Sequence, residues 1–215
     1  MSEPQDLHKQ PKGANAALIL DDGSVFWGVG LGRVGDAVGE VCFNTSMTGY
    51  QEILTDPSYA GQIINFTFPH IGNVGTTPDD LESRSPAARG CIVRANPTDP
   101  SNYRSLKDLG DWLGEQGLVG IAGLDTRALT RRVREFGAPT GVIVYSDQGK
   151  IDLAKAQEKA KDWPGLKGMD LAKAVSTQET YTWNTGRWRL GSGYGQVLSP
   201  SKRVVAFDFG AKPFW

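Results

Sequence analysis

The first strands of the fold are set by residues 16–29, which read AALILDDGSVFWGV. Two apolar runs, Ala16–Leu20 and Ser24–Val29, flank the polar turn Asp21-Asp22-Gly23. Apolar runs of strand length on either side of a short Asp/Gly turn predict a β-hairpin. The chain is therefore expected to open with antiparallel sheet.

The rest of the chain divides into strand-like and helix-like segments. Short apolar or alternating runs bounded by glycine predict strands, whereas apolar residues three or four positions apart predict helices. Further strands are predicted at Gly39–Asn44, Gln62–Phe68, Gly90–Arg94, Leu118–Ala122, Thr140–Tyr145 and Tyr181–Leu190. Helices are predicted at Ser105–Gln116, with Leu106, Leu109 and Leu113 on one face, at Asp125–Phe136 and at Ile151–Lys161.

The clearest of these helices is Asp125–Phe136. Leu129, Val133 and Phe136 recur at helical spacing, Asp125 or Thr126 is a suitable N-cap, and Gly137 is a suitable stop. The other face carries four arginines, Arg127, Arg131, Arg132 and Arg134. Such a face is either an anion or partner surface or, as we favour from the sequence, a solvated face to which no ligand is assigned.

Four segments are predicted along the chain. Residues 1–15 lack apolar periodicity and are expected to be a disordered tail; His8 lies in it and is expected to be solvated. Residues 16–190 form the main domain, and the Gly- and Ser-rich residues 191–202 form a linker. Residues 203–215 begin with the apolar run Arg203–Gly210, which is typical of a central parallel strand. The chain is thus expected to end one strand into a second domain.

Composition excludes several functional classes. With 23 basic and 24 acidic residues the net charge is −1, so no strong field favours nucleic acid or an acidic membrane surface. No secretory leader or membrane-spanning run is present in the sequence, and the two separated cysteines, Cys42 and Cys91, fit a reducing compartment. We expect a soluble cytoplasmic protein with no metal site.

Two polar stretches are candidates for function. Residues 43–59 combine many Asn, Ser and Thr side chains, which either cap turns or hydrogen-bond a ligand or another chain. His70 lies in a second stretch and is interpreted as structural, because no nucleophile is evidently paired with it. Gly28, Gly30 and Gly32 are interpreted as strand and turn glycines, since no helix opens there as a dinucleotide loop requires.

These motifs, in this order, carry a resemblance to a known family. They read GEVCFNTSMTGYQEILTDPSY at 39–59, PHIGNVG at 69–75, DTRALT at 125–130, PGLKGMDLA at 164–172 and VAFDFGAK at 205–212. The chain resembles the small, glutamine-hydrolysing subunit of bacterial carbamoyl-phosphate synthetase over about residues 16–212. The resemblance implies an α/β fold, in which a layered β/β/α amino-terminal domain precedes a class I glutamine amidotransferase domain that is truncated here.

The resemblance also implies an activity and its division between chains. The family's heterodimer makes carbamoyl phosphate from glutamine, bicarbonate and ATP for arginine and pyrimidine synthesis, with ATP and Mg or Mn used by the large subunit. Ser58 matches a serine that contacts glutamine across the domain boundary, and Ser46 and Met47 match the contact with the large subunit. No catalytic residue and no cofactor is assigned to this chain, because neither Cys42 nor Cys91 matches the family's nucleophile and no histidine follows His70.

Two alternatives are carried beside this interpretation. The first is a non-catalytic docking or scaffold module for the large subunit. The second, and weaker, is a stand-alone hydrolase that uses His70.

Overall fold

A computed structural model describes residues 9–212 and shows a mixed α/β fold built on a closed sheet. Seven strands form a barrel in the order β1-β2-β6-β5-β4-β3-β7. The barrel strands are β1 (Ala16–Leu20), β2 (Val25–Gly32), β3 (Gly35–Asn44), β4 (Gln62–Phe66), β5 (Gly90–Val93), β6 (Val119–Ala122) and β7 (Thr140–Tyr145). The helices are α1 (Tyr50–Thr55), α2 (Leu109–Glu115), α3 (Thr126–Phe136), α4 (Leu153–Asp162) and α5 (Leu171–Val175), with one 3-10 turn at Pro57–Tyr59.

The strand directions explain why helices lie between some consecutive strands of the chain. Strands β3, β4, β5 and β6 are parallel neighbours, whereas β1, β2 and β7 join them through antiparallel pairs. Parallel strands need a long crossover, and α1 and α2 lie in the crossovers from β3 to β4 and from β5 to β6. The predicted hairpin is confirmed, with Leu18 opposite Phe26.

The two faces of the barrel wall bury different apolar clusters. On β1, Leu18 and Leu20 point into the lumen, where they pack with Ile63 and Ile143 from other strands. The intervening Ile19 packs on the outside against α4. All five residues of β1 are buried, which is why its sequence is continuously apolar rather than alternating. Outside β4 and β5, helices α1 and α2 cover a third cluster.

Most predicted elements of the barrel are confirmed within a few residues. Helix α3 begins at the predicted cap, since the Asp125 carboxylate accepts the backbone N–H of Ala128 at 3.0 Å, and it ends at Gly137. The glycines of β2 are strand glycines, as predicted. A side chain at Gly28 would overlap the carbonyl oxygen of Ala122, and one at Gly30 would overlap the Tyr145 ring, so only glycine fits these close approaches.

Two predicted apolar faces are wrong in detail. The helix predicted from Ser105 begins only at Leu109, because Asp108 caps it and Leu106 is already hydrogen-bonded through its N–H to the Thr76 carbonyl. That bond holds residues 105–107 in an extended pairing, and the Leu106 side chain is exposed. Phe136, at the end of α3, is also exposed; it stacks under the Arg132 guanidinium instead of entering the core.

The carboxyl-terminal region differs most from expectation. Part of the predicted linker forms strand β9 (Gly193–Gln196), which pairs with β8 (Thr185–Arg189) in a two-stranded hairpin. The strand predicted at 203–210 is absent, because no neighbouring strand in the described part of the chain offers hydrogen bonds to it. Four side chains of this run are largely exposed: Val204, Val205, Phe207 and Phe209.

The structure describes only part of the predicted amino-terminal tail, from residue 9 onward. Residues 1–8, including His8, lie outside the described residues. Within the rest of the predicted tail, the Gln10 amide donates to the carbonyl of Gly149 at 2.7 Å, so this segment contacts the folded domain. No helix among residues 9–212 has the length and apolarity needed to cross a membrane.

Candidate functional site

The corner between α1 and β4 holds the predicted substrate residue, Ser58. Here the 3-10 turn Pro57–Tyr59 begins at Asp56, whose carboxylate accepts the Ser58 N–H at 2.9 Å. An aspartate before a proline is well suited to this turn, because proline fixes φ and aspartate caps the free N–H groups. The cap leaves Ser58 exposed at the tip of the corner.

The end of the described chain covers this corner. The Lys212 ammonium lies 2.5 Å from the Asp56 carboxylate. Gly210 lies against Pro57 so closely that a Cβ built on the glycine would be 3.2 Å from the Pro57 Cβ. Asp208 shapes this segment by accepting the N–H groups of Gly210 and Ala211 at 2.9 and 2.6 Å. Residues 208–212, hereafter the covering segment, therefore meet the domain next to Ser58.

Electrostatics at the corner favour the charged pair. Burial raises the pKa of Asp56, but hydrogen bonds from Lys212 and Ser58 outweigh it, so its net pKa lies below the ordinary value. The hydrogen bond to Asp56 raises the pKa of Lys212 in turn. Both groups are thus ionised at neutral pH, and the contact holds the covering segment by charge as well as by packing.

A second carboxylate beside this pair was missed by sequence reasoning. Burial raises the pKa of Glu82, and one of its carboxylate oxygens is buried without a hydrogen-bond partner among the described residues. Its backbone N–H donates to the Thr55 hydroxyl at 2.8 Å, which fixes the loop against α1. Glu82 lies in a loop without apolar periodicity, so no local sequence signal indicated its position.

The other predicted site residues, Ser46 and Met47, lie in an exposed loop after β3. Asn44 organises this loop, since its side-chain oxygen accepts the Ser46 N–H at 2.8 Å. The Asn44 amide group donates to the Tyr59 hydroxyl at 3.0 Å. Because Tyr59 follows Ser58 directly, this bond links the two predicted functional segments on one side of the barrel. Met47 remains 66% exposed.

The potential nucleophiles do not form a catalytic group with these residues. Burial raises the pKa of Cys42 to about 11 and that of Cys91 to about 12, so both thiols are protonated at neutral pH. A protonated, buried thiol is a poor nucleophile. His70 is exposed and its ring lies edge-on to Phe68, with centroids 6.3 Å apart. Among residues 9–212 no cluster of three His, Cys, Asp or Glu side chains is arranged to hold a metal ion.

The corner therefore brings together polar groups that can bind a ligand. It offers an exposed hydroxyl at Ser58, a fixed ion pair beside it, and an exposed loop at Ser46 and Met47. Hydroxyls and carboxylates can hydrogen-bond a polar ligand, but none of these groups is a nucleophile with a paired base.

Comparison with known proteins identifies the family. Residues 18–143 match the family model described as "Carbamoyl-phosphate synthase small chain, CPSase domain". The chain is 53% identical to the carbamoyl phosphate synthase small chain of Caulobacter vibrioides, an alignment that covers 93% of this chain and 53% of that protein. It is 53% identical to the Bradyrhizobium diazoefficiens protein of the same name (92% and 51% covered) and 55% identical to that of Vibrio vulnificus (92% and 52%).

The extent of these matches is as informative as their identity. The chain spans about half the length of the curated relatives it matches. The family match covers five of the seven barrel strands in full, β2 to β6, and parts of β1 and β7. On the strength of the matched domain, this chain belongs to the carbamoyl-phosphate synthase small-chain family.

Proposed function

We propose that this chain forms the amino-terminal domain of the small subunit of a glutamine-dependent carbamoyl-phosphate synthase. In this proposal residues 16–190 correspond to the layered β/β/α domain, and residues from 203 onward begin a class I amidotransferase domain. The complete cytoplasmic enzyme hydrolyses glutamine and passes ammonia to a large subunit, which makes carbamoyl phosphate from bicarbonate and ATP. The family match and the names of the half-matched relatives support this assignment.

One observation carries the placement of glutamine: the covering segment contacts the domain beside Ser58. A substrate held between the two domains of a small subunit would be reached from this corner. The Ser58 backbone N–H donates to Asp56 at 2.9 Å, which fixes the turn and leaves the Ser58 residue exposed beside the covering segment. A serine hydroxyl can accept a hydrogen bond from the α-ammonium group of an amino acid or donate one to its carboxylate.

The exposed loop at Ser46 and Met47 is the proposed contact with the large subunit. Its main chain is fixed by Asn44 rather than by packing of Met47, which leaves the thioether side chain available for another surface. Methionine is enriched in protein interfaces because it adapts its shape to the partner. The bond from Asn44 to Tyr59 places this loop near the proposed glutamine contact, as a route for ammonia between subunits requires.

Chemistry is divided between domains in this proposal. The nucleophile that attacks the glutamine amide belongs to the amidotransferase domain, and ATP with Mg or Mn belongs to the large subunit. The two protonated thiols of the barrel support a binding rather than a catalytic role for this part. The 215-residue chain alone is therefore expected to release no glutamate from glutamine; turnover comparable to that of an intact amidotransferase would contradict the proposal.

Binding to a large subunit can be tested separately. The chain, mixed with a bacterial carbamoyl-phosphate synthase large subunit, is expected to co-elute with it in size-exclusion chromatography. Met47→Asp should weaken this complex at least about tenfold, because it places a charge in an interface. Leu106→Asp is the matched control, since Leu106 is 71% exposed but lies in a different loop. Equal effects of both substitutions, or no complex at all, would contradict the proposed contact.

The same mixture separates the main proposal from the scaffold alternative. If the chain acts only as a docking module, the complex makes carbamoyl phosphate from ammonia but not from glutamine, even when an amidotransferase domain from a relative is fused after Lys212. If Ser58 contacts glutamine, that fusion is active and Ser58→Ala raises the KM for glutamine. The His70 hydrolase alternative requires an activity of the chain alone that His70→Ala removes.

A further inference from the structure

Four arginines meet around one concave surface at the end of the barrel. The cavity has a volume of about 700 Å³, within the range of ligand-sized pockets. Its charged lining consists of Arg94, Arg127, Arg131 and Arg134, and two hydroxyl-bearing residues, Thr67 and Thr130, complete its polar surface. We refer to it as the arginine cavity.

The cavity draws its residues from separate elements of the fold. Thr67 follows the last residue of β4, and Arg94 follows the last residue of β5. The remaining arginines come from α3, which closes this end of the barrel through buried Leu129. The crevice outside the carboxyl ends of parallel strands is the usual place for ligands in α/β sheets. The spacing of the arginines along α3 predicts their shared face, but their proximity to Arg94 depends on the tertiary fold.

A buried network fixes the orientation of α3. The Asn65 amide, on β4, donates to the Thr126 carbonyl at 3.1 Å and to the Thr130 hydroxyl at 3.0 Å. Because Leu129 packs in the lumen, rotation of α3 about its axis would move its charged arginines toward the apolar core. Arg127, Arg131 and Arg134 are spaced by four and three residues, so they share one face and line the cavity together.

The charge in this cavity is largely uncompensated. Asp125 lies 3.6 Å from Arg94, and both side chains are at least half exposed, which makes this a weak pair. No carboxylate among residues 9–212 forms an ion pair with Arg127, Arg131 or Arg134. Arg132, on another side of the same helix, differs, because it pairs with Asp22 and stacks on Phe136.

We propose that the arginine cavity binds a small phosphate-bearing anion through its converging guanidinium groups. A guanidinium group binds phosphate oxygens in a bidentate manner, and several such groups around one point match an anion with several charged oxygens close together. One carboxylate would leave most of the arginines unpaired. The enclosing volume and the hydroxyls of Thr67 and Thr130 favour a compact ligand over an extended acidic polypeptide.

Isothermal titration of the 215-residue chain with inorganic pyrophosphate tests this inference at constant ionic strength. Arg94→Gln and Arg89→Gln are matched variants, because Arg89 is exposed and lies before the other end of the same strand, β5. Arg94→Gln should weaken binding roughly tenfold, whereas Arg89→Gln should leave it within about twofold. Arg131→Gln should act like Arg94→Gln although it lies on a different element.

A second titration, with adenosine diphosphate, tests whether the ligand is an inorganic phosphate or a phosphate group on an organic molecule. Similar affinities for the two compounds indicate a site for the phosphate groups alone, and tighter binding of the nucleotide indicates that the organic part is also contacted. Absence of pyrophosphate binding at millimolar concentration would overturn the inference. So would equal loss in Arg89→Gln and Arg94→Gln, or binding of a Glu-rich peptide at this face without competition by pyrophosphate.

Folding is checked independently of binding. The substituted side chains are exposed, so far-ultraviolet circular dichroism and the urea midpoint of each variant should match those of the unsubstituted chain. The single variants Arg127→Gln and Arg134→Gln repeat the test at other positions. If all four cavity variants fold and bind pyrophosphate with unchanged affinity, the cavity is a solvated arginine face and not an anion site.

Discussion

Two runs of this chain are similarly apolar in sequence, but one forms a buried strand and the other is exposed and forms no strand. In β1, Ala16–Leu20, all five residues are buried, and Leu18 is 0% exposed. In the run Arg203–Gly210, Val205 is 89% exposed and no strand forms. The difference lies in their neighbours, since β1 is paired on both edges, by β2 and β7. An apolar run becomes a strand only where other strands satisfy its backbone hydrogen bonds.

The same comparison bears on what holds each region in place. Side chains from all around the barrel share one lumen, so its strands stabilise one another. The carboxyl-terminal region is attached through a few polar contacts instead. Besides the pair of Asp56 and Lys212, Trp188 of the small hairpin donates through its ring N–H to Asp79 at 3.1 Å, under the Arg104 guanidinium. We expect substitutions to separate these two regions clearly.

The largest expected effect comes from the barrel lumen. Leu18→Ala should lower the free energy of unfolding by about 2–5 kcal/mol, because it removes buried methyl groups and leaves a cavity. Val205→Ala should change it by less than about 0.5 kcal/mol, since that side chain is already in water. Urea denaturation followed by circular dichroism measures both. Comparable losses would mean that the terminal run contributes to the folded core.

Alkaline pH should also act on the barrel. Because the pKa values of Cys42 and Cys91 are raised to about 11 and 12, the unfolded chain loses these thiol protons first, near the ordinary pKa of 9.0. Stability is therefore unaffected by these groups below pH 9 and falls as the pH rises toward 12, by at most about 1.4 kcal/mol per pH unit for each thiol. Urea midpoints at pH 8 to 10.5 measure the decline, and Cys91→Ala should make it shallower. An unchanged slope in that variant would assign the decline to other groups.

Release of the covering segment should have a smaller, local effect. Asp56→Asn removes the charge that holds Lys212, so hydrogen exchange at the amides of Gly210 and Ala211 should accelerate by about twofold to fivefold, while the barrel is unchanged. The lowered pKa of Asp56 gives the sign of the pH effect: the contact persists above pH 4 and is lost as the pH falls through the lowered value. Asp99→Asn, at an exposed loop position, is the control and should leave these amides unaffected.

The smallest effect on stability is expected from the exposed run itself. Val204→Ser combined with Phe207→Ser should leave the urea midpoint within experimental error but reduce self-association, because exposed apolar segments promote aggregation. Light scattering over a concentration series measures this. Phe214 and Trp215, which the sequence adds to the same apolar run, lie outside the described residues. If the double variant associates as before, another surface of the chain is responsible.

The candidate site shows how far sequence reasoning extends. Ser58 was predicted from the family resemblance, and the structure shows that Asp56-Pro57-Ser58 forms a local turn in which the cap and the proline are adjacent in sequence. The contacts of that turn with Glu82 and Lys212 could not be predicted from the sequence, since these residues lie 26 and 156 positions away from Asp56. Likewise, the arginines of α3 could be placed on one face, but Arg94 joins them only because β5 ends beside α3.

The family, the order of the seven barrel strands and the cap of α3 at Asp125 could be predicted from the amino-acid sequence alone. These depend on spacing and on contacts between residues close in the chain. Three features appear only in the three-dimensional fold: seven strands close into a barrel, the run at 203–210 stays unpaired, and four arginines surround one cavity. Each of these depends on hydrogen bonds or side chains supplied from distant parts of the chain, and local periodicity carries no information about which distant segments meet.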